Sequence, residues 1–136
     1  MNLLRRCLRF QFVGVLGIAV QLGALALFAR NLHLNEQIAT ILAVEAAVLH
    51  NFVWHERWTW RDRNLASRGV FGRLLRFHLA NGLISIGGNL VFMEIYRGWL
   101  GMDLLLANLA SIGTMFLFNF AAGNWFVFAG TERNSV

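Results

Sequence analysis

Four stretches of this chain are apolar for long enough to cross a membrane, and short polar connections separate them. Phe10–Ala29 runs about 20 residues without a charge, which as a helix covers a hydrocarbon core of about 30 Å. Ile38–Trp54 is a second stretch, carrying Glu45 and His50 inside it, and Phe77–Tyr96 is a third. Leu104–Phe128 is the longest, at about 25 residues without a charge. The connections are Arg30–Gln37, an Arg-rich run between Arg57 and Arg76, and Arg97–Asp103. This pattern predicts an all-α membrane protein of four transmembrane helices. Small and polar residues recur inside the spans at helical spacing: Gly14, Ile18 and Gln21; Ala39, Ala43, Ala46 and His50; Gly82, Ser85 and Asn89; Asn108, Ser111, Met115 and Asn119. Such stripes let helices approach closely and bond to one another.

The spans pair up. Asn51-Phe52 ahead of Trp58 and Trp60 is echoed 68 residues later by Asn119-Phe120 ahead of Phe126 and Phe128. Arg9-Phe10 recurs as Arg76-Phe77, one residue out of step. A period of that size is sought before any other feature. It divides the 136 residues into two tandem helical hairpins, about 9–60 and 76–128, within one membrane domain covering 1–136.

Composition agrees with burial in lipid: 57% of residues are hydrophobic and mean hydropathy is +0.55. A water-soluble domain this small cannot enclose that much apolar surface. All 12 basic residues are Arg, and the net charge is +5. They lie between apolar runs, so the charge marks topology and not a nucleic-acid partner. Ten of the 12 fall in the N-terminal segment, the central connection and the C-terminal tail. By the positive-inside rule both termini and the central connection are cytoplasmic, and the two hairpins are parallel repeats. A secretory leader is the competing reading of residues 1–29, with Ala24-Leu25-Ala26 as its cleavage-like site. Cleavage there would remove half of a pair. Cys7 is the lone cysteine, so no intrachain disulfide forms.

No catalytic motif stands out, and the chain is read as a non-enzyme without cofactor or metal. His50 and His55 are five residues apart and face different sides of a helix. Trp54, Trp58 and Trp60, with Trp125, Phe126 and Phe128 in the second half, sit where span ends meet headgroups and form an expected interfacial aromatic belt. Arg9, Arg57 and Arg76 lie at the same depth, where guanidinium groups can hold a lipid phosphate with two parallel bonds. Glu45 is an ionisable group near mid-span, and such residues default to a functional hypothesis. With Gln21, Asn51, Asn81, Asn89, Asn108 and Asn119 it outlines an expected intramembrane polar path.

Over residues 9–128 the chain resembles the GtrA-like family of small four-span membrane proteins. The resemblance rests on Arg9-Phe10 and Gly14, on Asn51-Phe52 with Arg57-Trp58-Thr59-Trp60, and on the second copy from Asn119 to Phe128. It implies translocation of a polyprenyl-phosphate-linked sugar across the inner membrane for cell-surface polysaccharide synthesis or modification. Glu56 and Asn124 stand where the resemblance implies basic residues, and Gln21 where it implies an acidic one. The partners it implies are the lipid-linked sugar, membrane lipids and, in some relatives, a glycosyltransferase that the membrane protein recruits or anchors. Four helices enclose little space, so a homo-oligomer is expected. A small proton-coupled exporter is a third reading, weakened because the first span holds no Glu.

The orientation is directly testable. With Cys7 replaced, a cysteine introduced at Ser67 is expected to resist an impermeant thiol reagent applied from outside, whereas one at Asn35 is expected to react. External labelling at Ser67 would overturn the parallel-hairpin topology.

Overall fold

The computed structural model describes residues 1–63, 65 and 69–130, and every regular element among them is a helix. The elements are α1 (Leu3–Ala26), α2 (Glu36–Trp54), α3 (Val70–Leu83), α4 (Asn89–Met93) and α5 (Leu104–Ala122). All five continue into wider turns, and those at the ends of α1, α2, α4 and α5 close with i→i+5 hydrogen bonds: Leu32 N–H to Leu27 O, Trp60 N–H to His55 O, Leu100 N–H to Ile95 O and Phe128 N–H to Gly123 O. Three helical stretches among the described residues are long and apolar enough to cross a membrane: Leu3–Asn31, Gln37–Thr59 and Val70–Trp99. The chain divides into two compact units, one of Met1–Asp62 and one beginning at Arg63.

In the first unit α1 and α2 form a hairpin. Helix α1 begins earlier than its apolar run because the Asn2 side chain caps it, accepting from Arg5 N–H at 2.9 Å. Arg5, Arg6 and Arg9 are therefore helical. The chain reverses after Leu32, where His33 takes φ of +52°, a left-handed conformation uncommon outside glycine. Asn35 then starts α2, its side chain accepting from Gln37 N–H at 2.9 Å. Phe10, Val13 and Gly17 of α1 are buried. Facing residues Ala39, Ala43 and Ala47 of α2 are buried too. The small-residue stripe thus runs through Ala47, not the anticipated Ala46, because four-residue steps follow the helix pair better than the mixed spacing. Gly17 lies directly under Asn51, whose side-chain amide leaves no room for a Cβ there.

One ion pair closes this unit at its charged end. Arg6, 3% exposed, donates to Asp62 Oδ2 at 2.7 Å, and the Met1 amino group lies 3.3 Å from the same oxygen. Burial by itself raises the Asp62 pKa. The hydrogen bond from Arg6, backbone hydrogen bonding and the neighbouring positive charges outweigh that, and the net shift is downward.

In the second unit α3 and α4 form one helical rod through widened turns at Ile84–Gly88 and Glu94–Trp99, and α5 runs back along it. The rod starts at Val70, so Arg73 and Arg76 are helical residues, not part of a long charged loop. Face burial explains this: Arg73 is 4% exposed and Phe77, one turn on, is 3% exposed. Tyr96 and Thr114 hydroxyls meet at 2.7 Å, Ser111 donates to Asn89 Oδ1 at 2.9 Å, and Phe92 packs on Phe118 at 5.6 Å. Gly88 makes room for Met115, whose sulfur an added Cβ would overlap. Gly101, at φ +62°, makes the reversal. Large apolar side chains cover the outside of both units, among them Leu22, Ile41, Leu83, Leu90 and Leu109, each more than half exposed. Lipid is the solvent that accepts such a surface.

Two outcomes follow from this packing. Gly17→Ala is expected to cost about 1–3 kcal/mol by overpacking, and adding Asn51→Ala is expected to recover most of it, read as detergent-solubilised Tm in a double-mutant cycle. Asp62→Asn is expected to cost about 1.5–3 kcal/mol at neutral pH, because Arg6 loses its charged acceptor. Since the folded pKa of Asp62 is depressed, the carboxylate contributes stability above its ordinary value of 3.8 and loses it as pH falls through the folded value. The Tm difference between the wild-type chain and Asp62→Asn should therefore close in acid, and a constant difference would refute the assignment.

Candidate lipid-phosphate site

The charged end of the first hairpin is assembled from α1 and the turn after α2. Arg9 Nη1 donates to Trp58 O at 3.0 Å, and its guanidinium carbon stands 5.1 Å from the Trp58 ring centroid. A helix leaves its last carbonyls without donors, so a guanidinium placed there caps the end and favours the dipole. Phe12 meets Trp58 edge-on at 5.7 Å, and Trp54 meets it at 6.4 Å. His50, Trp54 and Trp58 thus form a ladder at four-residue steps, with Trp54 exposed. Arg57 is exposed beside this ladder.

Behind the ladder lies a closed aromatic core. Phe10 stacks on His55 at 4.5 Å and 11°, and Trp60 meets Phe10 at 5.9 Å and His55 at 5.4 Å, both edge-on. His55 Nδ1 and Thr59 Oγ1 are 3.0 Å apart. Trp60 and Phe128 are fully enclosed. They are core residues and not members of an outward belt, because the Arg-Phe pair of the preceding helix supplies a ring for each to pack on. Trp54, Trp125 and Phe126 remain on the exposed surface, and Trp58 is half-buried under Arg9.

In the second unit Phe77 and Phe128 meet edge-on at 6.0 Å and 60°, and the Arg76 guanidinium carbon stands 5.9 Å from the Phe126 ring centroid. Arg76 Nε is buried and has no hydrogen-bond partner among the described residues. Here a different residue caps the helix end. Arg63 donates to the Asn124 and Phe128 carbonyls and, at 2.8 Å, to Asn124 Oδ1. Sequence reasoning missed Arg63, whose partners lie more than sixty positions away, and it missed the Arg6–Asp62 pair. The one available hint was Arg6 standing four residues before Phe10, on the face of α1 that turns inward.

The polar residues of the spans separate into inward and outward groups. Asn51 sits over Gly17, with His50 Nδ1 3.2 Å from its Oδ1. Asn119 is half-buried, and its Oδ1 has no hydrogen-bond partner among the described residues. Gln21 and Asn81 are half-buried, whereas Asn89 is largely exposed while accepting from Ser111. Glu45 lies on the exposed side of α2, away from the α1 contact. The Asn108 side chain lies outside the described set.

Comparison with known proteins agrees with the helical, lipid-facing architecture. The GtrA/DPMS transmembrane-domain family matches residues 9–128. A dolichol-phosphate mannosyltransferase of Pyrococcus furiosus is 40% identical over 111 residues, which is 79% of this chain. The match covers 29% of that relative, so the chain spans less than a third of its length. With apolar spans, outward-facing Leu and Ile, and a match along nearly the whole sequence, the chain is a membrane protein of the GtrA/DPMS transmembrane-domain family.

Proposed function

We propose that this protein carries a polyprenyl-phosphate-linked sugar across the inner membrane, with no chemistry of its own. The observation that carries the reading is Arg76. Its guanidinium stands over the Phe126 ring, and its Nε is buried without an acceptor among the described residues, as are those of Arg6 and Arg63; an anion at headgroup depth gives the Arg76 charge the kind of partner that Asp62 gives Arg6. In the first unit, taken by itself, Arg9, held against Trp58, and the exposed Arg57 offer an anion donors of their own. The relative named as a dolichol-phosphate mannosyltransferase supports a lipid phosphate as that anion.

The rest of the reading follows from the two units. Helix α5, prolonged to Val127, is the fourth span. The hairpins are copies of one ancestral unit: Phe10 with Trp60 and Phe77 with Phe128 make the same edge contact, and His33 and Gly101, 68 residues apart, both turn left-handed. Both termini face the cytoplasm. Within the second unit the unsatisfied Asn119 carbonyl offers an acceptor for a sugar hydroxyl. The prenyl tail stays in lipid. Glu45 and the other exposed residues of α2 serve contacts between copies in a homo-oligomer.

A second reading keeps the same fold but makes it an anchor for a glycosyltransferase. It is favoured by the relative in which the matched segment belongs to a longer chain bearing a transferase name.

Reconstitution separates the two. In liposomes holding a polyprenyl-phosphate-sugar, the purified chain is expected to equilibrate the lipid between leaflets without partners. Arg57→Gln and Arg76→Gln are each expected to weaken headgroup binding about ten- to a hundredfold, the worth of one charge-assisted bond. Arg97→Gln, an exposed charge at the other end of its unit from Arg76, is expected to leave the rate unchanged. Movement no faster than in protein-free liposomes, with a glycosyltransferase co-purifying, establishes the anchor instead.

A further inference from the structure

We infer that the first hairpin holds a second lipid-phosphate site, at the end opposite Arg9 and Trp58. A groove of about 510 Å³ opens there between the end of α1 and the start of α2. Leu22, Leu25, Ala26 and Ala29 form its wall, and Arg30 and Thr40 supply its polar groups. A cation and a hydroxyl above an apolar wall match a phosphate ester joined to a hydrocarbon tail. Among the described residues no acidic side chain lines the groove, so its polar end is cationic there. The second unit offers a contrast. Its groove of about 410 Å³ holds Arg97, but Glu94 lines it too and offsets the charge.

Depth sets the occupant. At roughly 1.5 Å per residue, Arg9 and Arg30 lie about 30 Å apart along α1, which is the thickness of the hydrocarbon core. One helix therefore presents a guanidinium to each headgroup layer. The site rests on the reading of the protein as a carrier of lipid phosphates: a headgroup released from the Arg9 end needs a cation to receive it on the far side. The occupant is the polyprenyl phosphate itself, not bulk phospholipid or free phosphate.

The test uses the full chain in phosphatidylcholine nanodiscs containing a polyprenyl phosphate with a photoreactive group beside the phosphate. Irradiation is expected to label two regions, one around Trp58 and one between Leu22 and Thr40. Arg30→Gln is expected to weaken labelling of the second region about ten- to a hundredfold and to spare the first. Arg30→Lys should restore part of it, since a lysine keeps the charge but not the planar fork. Arg97→Gln should change neither. Undiminished labelling in Arg30→Gln overturns the site. Displacement by equimolar phosphatidylglycerol or by equimolar inorganic phosphate overturns the prenyl occupant. Arg30-dependent labelling without transbilayer movement would leave this site standing and defeat transport; movement with Arg30-independent labelling would do the reverse.

Discussion

The last carbonyls of a helix have no donors within it, and inside or beside a membrane water cannot be relied on to supply them. This constraint organises both hairpins. In the first, Arg9 reaches from α1 to the Trp58 carbonyl. In the second, Arg63 takes the Asn124 and Phe128 carbonyls together. Each cap fixes the wide closing turn, and each turn carries the aromatic residue that seals its hairpin, Trp60 on Phe10 or Phe128 on Phe77. The aromatic cores are consequences of the caps as much as of hydrophobic burial.

The same constraint sorts the arginines by role. Arg6 is committed to Asp62, and Arg63 to a helix end. Arg9 spends one N–H on Trp58 and presents its flat face to the indole, an arrangement that leaves other donors of the fork available. Arg57 is exposed, and Arg76, half-buried, faces the Phe126 ring. A basic cluster that looks uniform in sequence is thus divided between groups that hold the fold and groups that can hold a ligand.

Much of the architecture was legible because it rests on local signals. Three span positions follow from runs of apolar residues, and the Arg-Phe and Asn-Phe-aromatic motifs marked residues that pack together at the helix ends. What was illegible depends on distance or on helical phase. Arg63 meets partners 61 and 65 residues away, and no spacing rule anticipates that. Ala46 and Ala47 differ by one position, about 100° around the helix, and only the partner helix selects between them. Trp60 and Phe128 read as interfacial because aromatic residues at span ends usually are; their burial required knowing that Phe10 and Phe77 sit opposite. Asn2 capping moved the start of α1 ahead of its charges, which hydropathy alone places outside.

The choice of arginine for every basic position has its own consequence. A lysine placed where Arg6 or Arg63 sits could shed its proton to escape the desolvation penalty, and the contact would then come and go with acidity. A guanidinium has no such exit. The buried cations of these hairpins are permanent fixtures. Acid can release the Arg6 clasp from the side of its carboxylate, while the Arg63 bonds to Asn124 and Phe128 end on amide and main-chain oxygens that do not titrate. The Arg6 contact is therefore acid-labile and these Arg63 bonds are not, so acid loosens one arginine fixture and leaves the other's oxygen partners in place.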